Sequence, residues 1–442
     1  MVFKGFFGGR REAAPPSGAE ELAIGPSADG DDEGLDALTD GAEQAPERSW
    51  RERAEAVLPT GASTGSKRAE ALYGSAGAEG PTHFVDARGC RLTSADGDSF
   101  VDCTMAVGAV ALGYAEPRVT RAVVDAVSQG NVSALSSWRE VELAERLCAT
   151  IPCAERAQLL KTGAEATSAA VRLARTYTGR EHVVASGYFG WHDWSSEAAG
   201  VPADTARHVT RVPFDDVEAL ERAVATAGAG LAAVVLEPVV EREPRGEWLT
   251  RARALCDAAG AALIFDEVKT GFRMAPGGYQ ELCGVTPDLA SFGKAMANGY
   301  PLAAVVGRQP LMDAARRTWI SSTLASESSA LAAALAVLAW HEEADICATL
   351  TETGREMRGA VDRAIAASGV AGVHTDGVDA MWLMRWDDPA RETRFLLNAV
   401  REGVIFKRGA YNFAAVAHDE DVLRKIESAS SAALVALAEA EA

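Results

Sequence analysis

An apolar run, Leu263-Ile264-Phe265, ends in Asp266-Glu267-Val268, and Lys294 follows in Ser291-Phe292-Gly293-Lys294-Ala295-Met296-Ala297-Asn298-Gly299. A run of the first kind reads as a buried strand that delivers a carboxylate to a cleft. A lysine in a glycine-flanked turn can reach the same cleft. Together they supply an acid able to keep a heterocyclic nitrogen protonated and an amine able to form a Schiff base. Alone, each is commonplace: the acid could simply end a strand, and the lysine could be solvated.

Other segments make the pair more telling. Lys161-Thr162-Gly163-Ala164-Glu165-Ala166-Thr167 follows an apolar run and opens a helix, with Thr162 and Glu165 at capping-box spacing. Gly163 and Ala164 are small enough for a ligand to approach the backbone, and a helix N-terminus attracts anions. By itself this is an ordinary capped helix; beside a Schiff-base lysine it reads as a phosphate cup. Gly187-Tyr188-Phe189-Gly190-Trp191-His192-Asp193-Trp194 places aromatics on a glycine-rich loop. They could stack on a flat heterocycle or merely pack the loop. Val268 lies two residues beyond Asp266, on the same side of the strand, where it can press on the opposite ring face. The combination describes a site for pyridoxal 5'-phosphate (PLP).

The elements that position these groups alternate. Short β-rich runs at 157–161, 182–186, 232–236, 261–266 and 303–306 are interleaved with helical stretches at 165–177, 217–227, 250–259 and 328–340. The pattern predicts an α/β fold with a mostly parallel sheet covered on both faces. Ligands in such sheets bind at the carboxyl ends of the strands, where Tyr188, Glu237 and Asp266 fall. Upstream, Asp96-Gly97-Asp98 signals a turn before a strand at 99–102. A glycine-punctuated loop at 105–114 and helices at 117–128 and 141–149 follow. The chain ends in an amphipathic helix at 420–440.

The organisation expected is a disordered acidic tail at 1–47, an N-terminal segment at 48–105 packing with a small domain, a large cofactor-binding domain at 106–340 and a small C-terminal α+β domain at 341–442. For the tail, a partner-binding segment around Leu35 and Leu38 is the alternative.

The chain has 442 residues, 48% of them hydrophobic, and a formal charge of −20. That charge argues against nucleic acid or an anionic membrane as partner. No apolar run is long enough to span a bilayer, and the apolar start at Met1–Phe7 is too short for a secretory signal. The seven scattered cysteines fit a reducing, cytoplasmic setting.

The ordered strings Thr162-Gly163-Ala164-Glu165-Ala166, Tyr188 to Asp193, Glu237-Pro238, Ile264-Phe265-Asp266-Glu267-Val268-Lys269-Thr270-Gly271-Phe272-Arg273, Gly284-Val285-Thr286-Pro287-Asp288, Gly293-Lys294 and Ser321-Ser322-Thr323 resemble the class III, fold-type I, PLP-dependent aminotransferases. The glutamate-1-semialdehyde 2,1-aminomutase-like branch is the nearest. The resemblance runs over roughly residues 55–440. It implies that Lys294 forms the Schiff base, Asp266 pairs with the pyridine nitrogen, Tyr188 stacks on the ring, and Gly163 and Ala164 bind phosphate. It implies that Thr323 reaches the phosphate across a homodimer interface and that Glu237 lies near the cofactor. Arg68 or Lys67, or neither, would meet a substrate carboxylate.

Departures are Phe189 where the family often has histidine, the segment Thr323-Leu324-Ala325-Ser326-Glu327, and Phe406-Lys407-Arg408-Gly409-Ala410-Tyr411-Asn412. Lys407 and Arg408 would bring positive charge to the substrate entrance. The resemblance implies an aminotransferase acting on a small-molecule amino donor and a carbonyl acceptor, with a place in specialised metabolism as one setting. A 2,1-aminomutase is the alternative. A non-catalytic PLP-fold binding subunit is the reading from another class, and the intact Lys294, Asp266 and Thr323 argue against it.

Overall fold

The computed structural model describes residues 48–74 and 79–441. The tail expected at 1–47 lies outside the described residues.

Three short strands come first: β1 (Phe84–Arg88), β2 (Arg91–Ser94) and β3 (Ser99–Asp102). The central sheet is built from β4 (Arg156–Leu160), β5 (His182–Ser186), β6 (Val209–Arg211), β7 (Leu231–Leu236), β8 (Ala262–Asp266), β9 (Leu289–Phe292) and β10 (Ala303–Gly307), in the order β4-β10-β9-β8-β7-β5-β6. Neighbours from β9 to β6 are parallel. β10 is antiparallel to both β4 and β9, so β4 points the same way as the parallel set. The carboxyl ends of β4, β5, β7, β8 and β9 therefore share one edge of the sheet.

The strands are apolar on both faces. Val183, Ala185, Val235 and Ile264 pack into the layer of the Gly163–Thr178 helix. Val184, Val234, Leu263 and Phe265 pack on the other side with Trp248, Ala252 and Cys256 of the Trp248–Ala259 helix. The first helix presents Ala166, Ala169, Ala170, Leu173 and Ala174 to the sheet, a stripe of mostly small residues that lets helix and sheet approach closely.

The chain closes with β11 (Val373–Val378), β12 (Met381–Trp386), β13 (Val404–Ile405) and β14 (Asn412–Phe413). β11, β12 and β14 form one small sheet; β13 joins β1–β3 by pairing parallel with β3. Tyr73, Phe100, Leu397, Val400 and Ile405 make a cluster of their own across that junction. The first and last parts of the folded chain are thus interleaved. A boundary near residue 340 would fall in the last turn of the Ser328–Glu343 helix.

Most expected elements occupy the expected positions, including the helices Pro117–Ser128 and Val217–Ala227. Of the central sheet, two strands, β6 and β9, were not among the expected runs, and the reversed direction of β10 was not anticipated. Among the described residues no helix is long and apolar enough to cross a membrane.

Candidate active site

Asp266 is the last residue of β8 and is nearly buried. It shares a strand face with Ile264, the face covered by the Gly163–Thr178 helix. One carboxylate oxygen, Oδ2, accepts from Thr167 Oγ1 at 3.0 Å; the other accepts from the Val268 amide at 3.0 Å. The adjacent acid, Glu267, points the opposite way. It is fully buried and accepts from Thr270 Oγ1 and from the amides of Tyr279 and Gln280. Of the two acids only Asp266 is available to a ligand.

Lys294 follows β9 through Gly293. Its φ of +47° lies in the left-handed region, an uncommon and strained conformation for a residue with a side chain. It starts a short 3-10 turn, Lys294–Ala297, that ends at Asn298, also left-handed. The Asn298 side chain accepts from the amides of Ala111 and Leu112 and donates to the Gly113 carbonyl, each at 2.9 Å. The lysine turn is thereby clamped to the 105–114 loop. That loop contains a left-handed run, Met105, Ala106, Val107 and Gly108, and the buried Arg273 donates to the Gly108 carbonyl at 3.2 Å.

Asp266 and Lys294 belong to one cluster of charges. Burial, then the nearby Glu237 carboxylate, raises the Asp266 pKa to about 7. Burial, then the Lys269 ammonium, lowers that of Lys294. A neutral amine is the form that attacks an aldehyde. Glu237, just past β7, is held at both oxygens: Oε1 lies 3.0 Å from Lys269 Nζ, and Oε2 accepts from the Tyr188 amide at 2.7 Å.

The capped helix start expected at Thr162–Glu165 forms. Thr162 Oγ1 accepts from the Glu165 amide, and the Glu165 carboxylate accepts from the amides of Lys161 and Thr162. The first-turn amides of Gly163 and Ala164 have no acceptor within the helix. Three glycines keep the floor open. A Cβ on Gly163 would lie 2.8 Å from Val268 Cγ1, one on Gly187 2.8 Å from Glu237 Cγ, and one on Gly190 2.4 Å from the Ala164 Cβ. The buried hydroxyl of Ser291, register-paired with Asp266, has no partner among the described residues.

Tyr188 is exposed (75%), whereas Phe189 is buried and stacks on Trp194 with ring centroids 5.7 Å apart. Phe189 thus packs the loop, and Tyr188 is left facing out. His192 bonds through Nδ1 to Ser168 Oγ at 2.7 Å, fixing the loop to the cup helix.

The outlying residues are less concentrated. Thr323 is exposed in the segment before the Ser328–Glu343 helix. Lys67 and Arg68 are exposed at a 3-10 turn and line a recess with Arg51, Glu55 and His83. Arg408 is half-buried, with Nε 3.9 Å from Glu392 Oε2. Lys407 departs from expectation. It is buried, and its ammonium donates to the carbonyls of Ser66 and Ala71 at 3.1 Å, so its charge ties the Lys67–Arg68 segment down instead of facing an entrance.

Three participants were not singled out from sequence. Thr167 orients Asp266, Lys269 pairs with Glu237, and Tyr411 accepts from Lys269 Nζ at 3.1 Å. Thr167 and Lys269 stood inside strings already noted for other reasons. Tyr411 lies far along the chain, and no local signal ties it to the site.

A buried acid, a neutral-leaning lysine and an open helix N-terminus fit the ring nitrogen, aldehyde and phosphate of PLP. Fold and site define a PLP-dependent enzyme of fold type I. The chain belongs to the class III aminotransferases, whose family model (Aminotransferase class-III) matches residues 74–417. It is similar to 3-aminobutyryl-CoA aminotransferase of Cloacimonas acidaminovorans (strain Evry), with 31% identity over 365 residues, 79% of this chain and 88% of the relative. It is also similar to glutamate-1-semialdehyde 2,1-aminomutase of Anaeromyxobacter dehalogenans (strain 2CP-C), with 34% identity over 398 residues, 81% and 91% of the two chains. Among solved structures, the PLP internal aldimine form of the Sphingopyxis sp. MTA144 FumI protein superposes with a TM-score of 0.84 at 28% identity, covering 88% of this chain and 96% of that one.

Proposed function

We propose that this protein is an aminotransferase that moves an amino group from a small amino donor to a keto or aldehyde acceptor. The observation that carries the reading is the placement of Lys294 and Asp266 in one charge cluster at the carboxyl edge of the sheet. When bound, PLP supplies an aldehyde and an electron-accepting ring that acidifies the C–H bond of an attached amine.

The protein's residues do the rest. With PLP in place, Lys294 would be the amine that holds it and, once released, the base that moves the proton of the donor's carbon. Asp266, fixed by Thr167 and the Val268 amide, keeps the proton on the ring nitrogen. Val268 and Tyr188 would bracket the ring, and Glu237 holds the Tyr188 backbone. Gly163 and Ala164 bind the phosphate through their amides. Lys67, Arg68 and Arg408 are the cations available to a substrate carboxylate.

In this reading the working unit is a homodimer in which Thr323 serves the second copy's phosphate. Supporting it is an exposed apolar surface at Leu135, Trp138, Val141 and Leu324. The loop before Trp138 is joined to the helix after Thr323, since Asn131 accepts from the amides of Ser328 and Ser329. Exposed apolar side chains of this kind support an interface there.

The test is the visible absorbance of the PLP-loaded protein on adding L-glutamate, L-alanine or simple amines. Bleaching with release of the matching keto product is expected. A band that persists with every donor would favour a 2,1-aminomutase, which completes both halves on one molecule.

A further inference from the structure

Lys269 occupies an unusual place for a lysine. Its side chain is nearly buried, three residues beyond Asp266, and its ammonium is held between two side chains. Glu237 Oε1 lies 3.0 Å away, Tyr411 OH lies 3.1 Å away, and the Tyr411 ring centroid is 4.4 Å from Nζ. The Tyr411 hydroxyl also accepts from the Glu241 amide at 2.8 Å. One ammonium thus joins the segment after β8, the segment after β7 and the C-terminal segment before β14. Through the other oxygen of Glu237 it reaches the backbone of Tyr188.

The cluster sets the Asp266 and Glu237 carboxylates against Lys269 and Lys294, with the Arg273 guanidinium also acting on Lys294. Removing Lys269 would leave Glu237 uncompensated beside the buried Asp266. A buried charge that loses its partner is costly and disturbs every ionisable neighbour.

We propose that Lys269 is a positioning residue of the reaction: held between Glu237 and Tyr411, it fixes the Glu237 carboxylate and sets the electrostatic environment in which Lys294 works. Its charge faces Lys294 together with Asp266, Glu237 and Arg273. Burial works against the Lys269 ammonium, but Glu237 and Tyr411 outweigh burial and keep its pKa above the ordinary value. It therefore stays charged while Lys294 titrates. The proposal rests on the reading that Lys294 carries the cofactor.

The experiment is a pH titration of the visible absorbance of the full-length, PLP-loaded protein, comparing wild type with Lys269→Met and Lys269→Arg. Loss of the neighbouring positive charge makes protonation at the Lys294 nitrogen easier. The midpoint in Lys269→Met should move up by about one pH unit or more. Lys269→Arg restores the charge and should bring the midpoint back towards wild type, even where geometry costs activity. A purely packing role would not produce that split. Should Lys269→Met fail to fold, Lys269→Gln carries the same expectation. An unmoved midpoint in the uncharged variant, or an equal shift in Lys269→Arg, overturns the proposal. Absence of any cofactor band in the wild type would overturn the Lys294 reading itself, so the two failures are distinguishable.

Discussion

Thr167 donates its hydroxyl hydrogen towards Asp266 at 3.0 Å, and it does so from the same helix whose first turn is the proposed phosphate cup. The two ends of a bound cofactor, ring nitrogen and phosphate, would thus be located by one rigid element. The Gly163 carbonyl lies equally close, 3.0 Å from the same hydroxyl, so its single hydrogen is shared between the two acceptors and its rotamer is fixed. Thr167→Val keeps the shape and removes the donor. Turnover is expected to fall about tenfold with PLP still bound, the scale of one hydrogen bond to a charged group. Steady-state kinetics with an absorbance check of cofactor content would decide it, and unchanged turnover would remove Thr167 from the account.

Asp266→Asn should lower turnover by about 100-fold or more while the lysine linkage to PLP persists, because an amide cannot hold the ring nitrogen's proton as a carboxylate does. A near-normal rate would take Asp266 out of its assigned role.

The same residue makes a stability prediction for the cofactor-free protein. Folding raises the Asp266 pKa from 3.8 to about 7. Between those values the folded state holds a proton that the unfolded state has released. The Asp266 contribution is therefore fully present below the unfolded value and is lost as pH rises through the folded one. Denaturant titrations across that window should show a weaker fall in stability with rising pH in Asp266→Asn than in wild type. Identical pH dependences would contradict the shift.

Gly190 has a φ of +87°, and a Cβ there would sit 2.4 Å from that of Ala164. Gly190→Ala should push the aromatic loop off the first turn of the cup helix. PLP affinity is expected to drop about tenfold or more, a cost of the size carried by a strained backbone position. Equilibrium titration of the cofactor-free protein with PLP measures this directly, and an unchanged affinity would show that the loop does not shape the cup.

If Thr323 acts across an interface, Lys294→Ala and Thr323→Ala variants should each be impaired. Mixing them under exchange conditions should restore activity, since one site in each mixed dimer would carry both residues. No recovery, with exchange verified by mass, would place Thr323 elsewhere.

Much of this could be read in the sequence because local chemistry dictates it. Thr162 and Glu165 announce a helix start by their spacing, and the apolar runs ending at Ser186, Leu236 and Asp266 are too uniformly hydrophobic to be anything but strands buried on both faces. What could not be read depends on distant partners or on backbone conformation. β6 is three residues long and defined by its pairing with β5, and β10 looks the same by composition whichever way it runs. The left-handed φ of Lys294 and of Met105–Val107 leaves no compositional mark, because these are not glycines. Lys407 reads as a surface cation until the structure shows its ammonium on two main-chain carbonyls. The Lys269–Tyr411 contact joins positions that no periodicity connects.

The most direct test of the central claim is to locate the lysine that carries the cofactor. The site holds two amines, the half-buried Lys294 and the buried Lys269, close enough to influence each other. Reduction of the PLP-loaded protein with borohydride, followed by peptide mapping, should place the pyridoxyl mass on Lys294 alone. An adduct on Lys269, or none on either residue, would contradict the account.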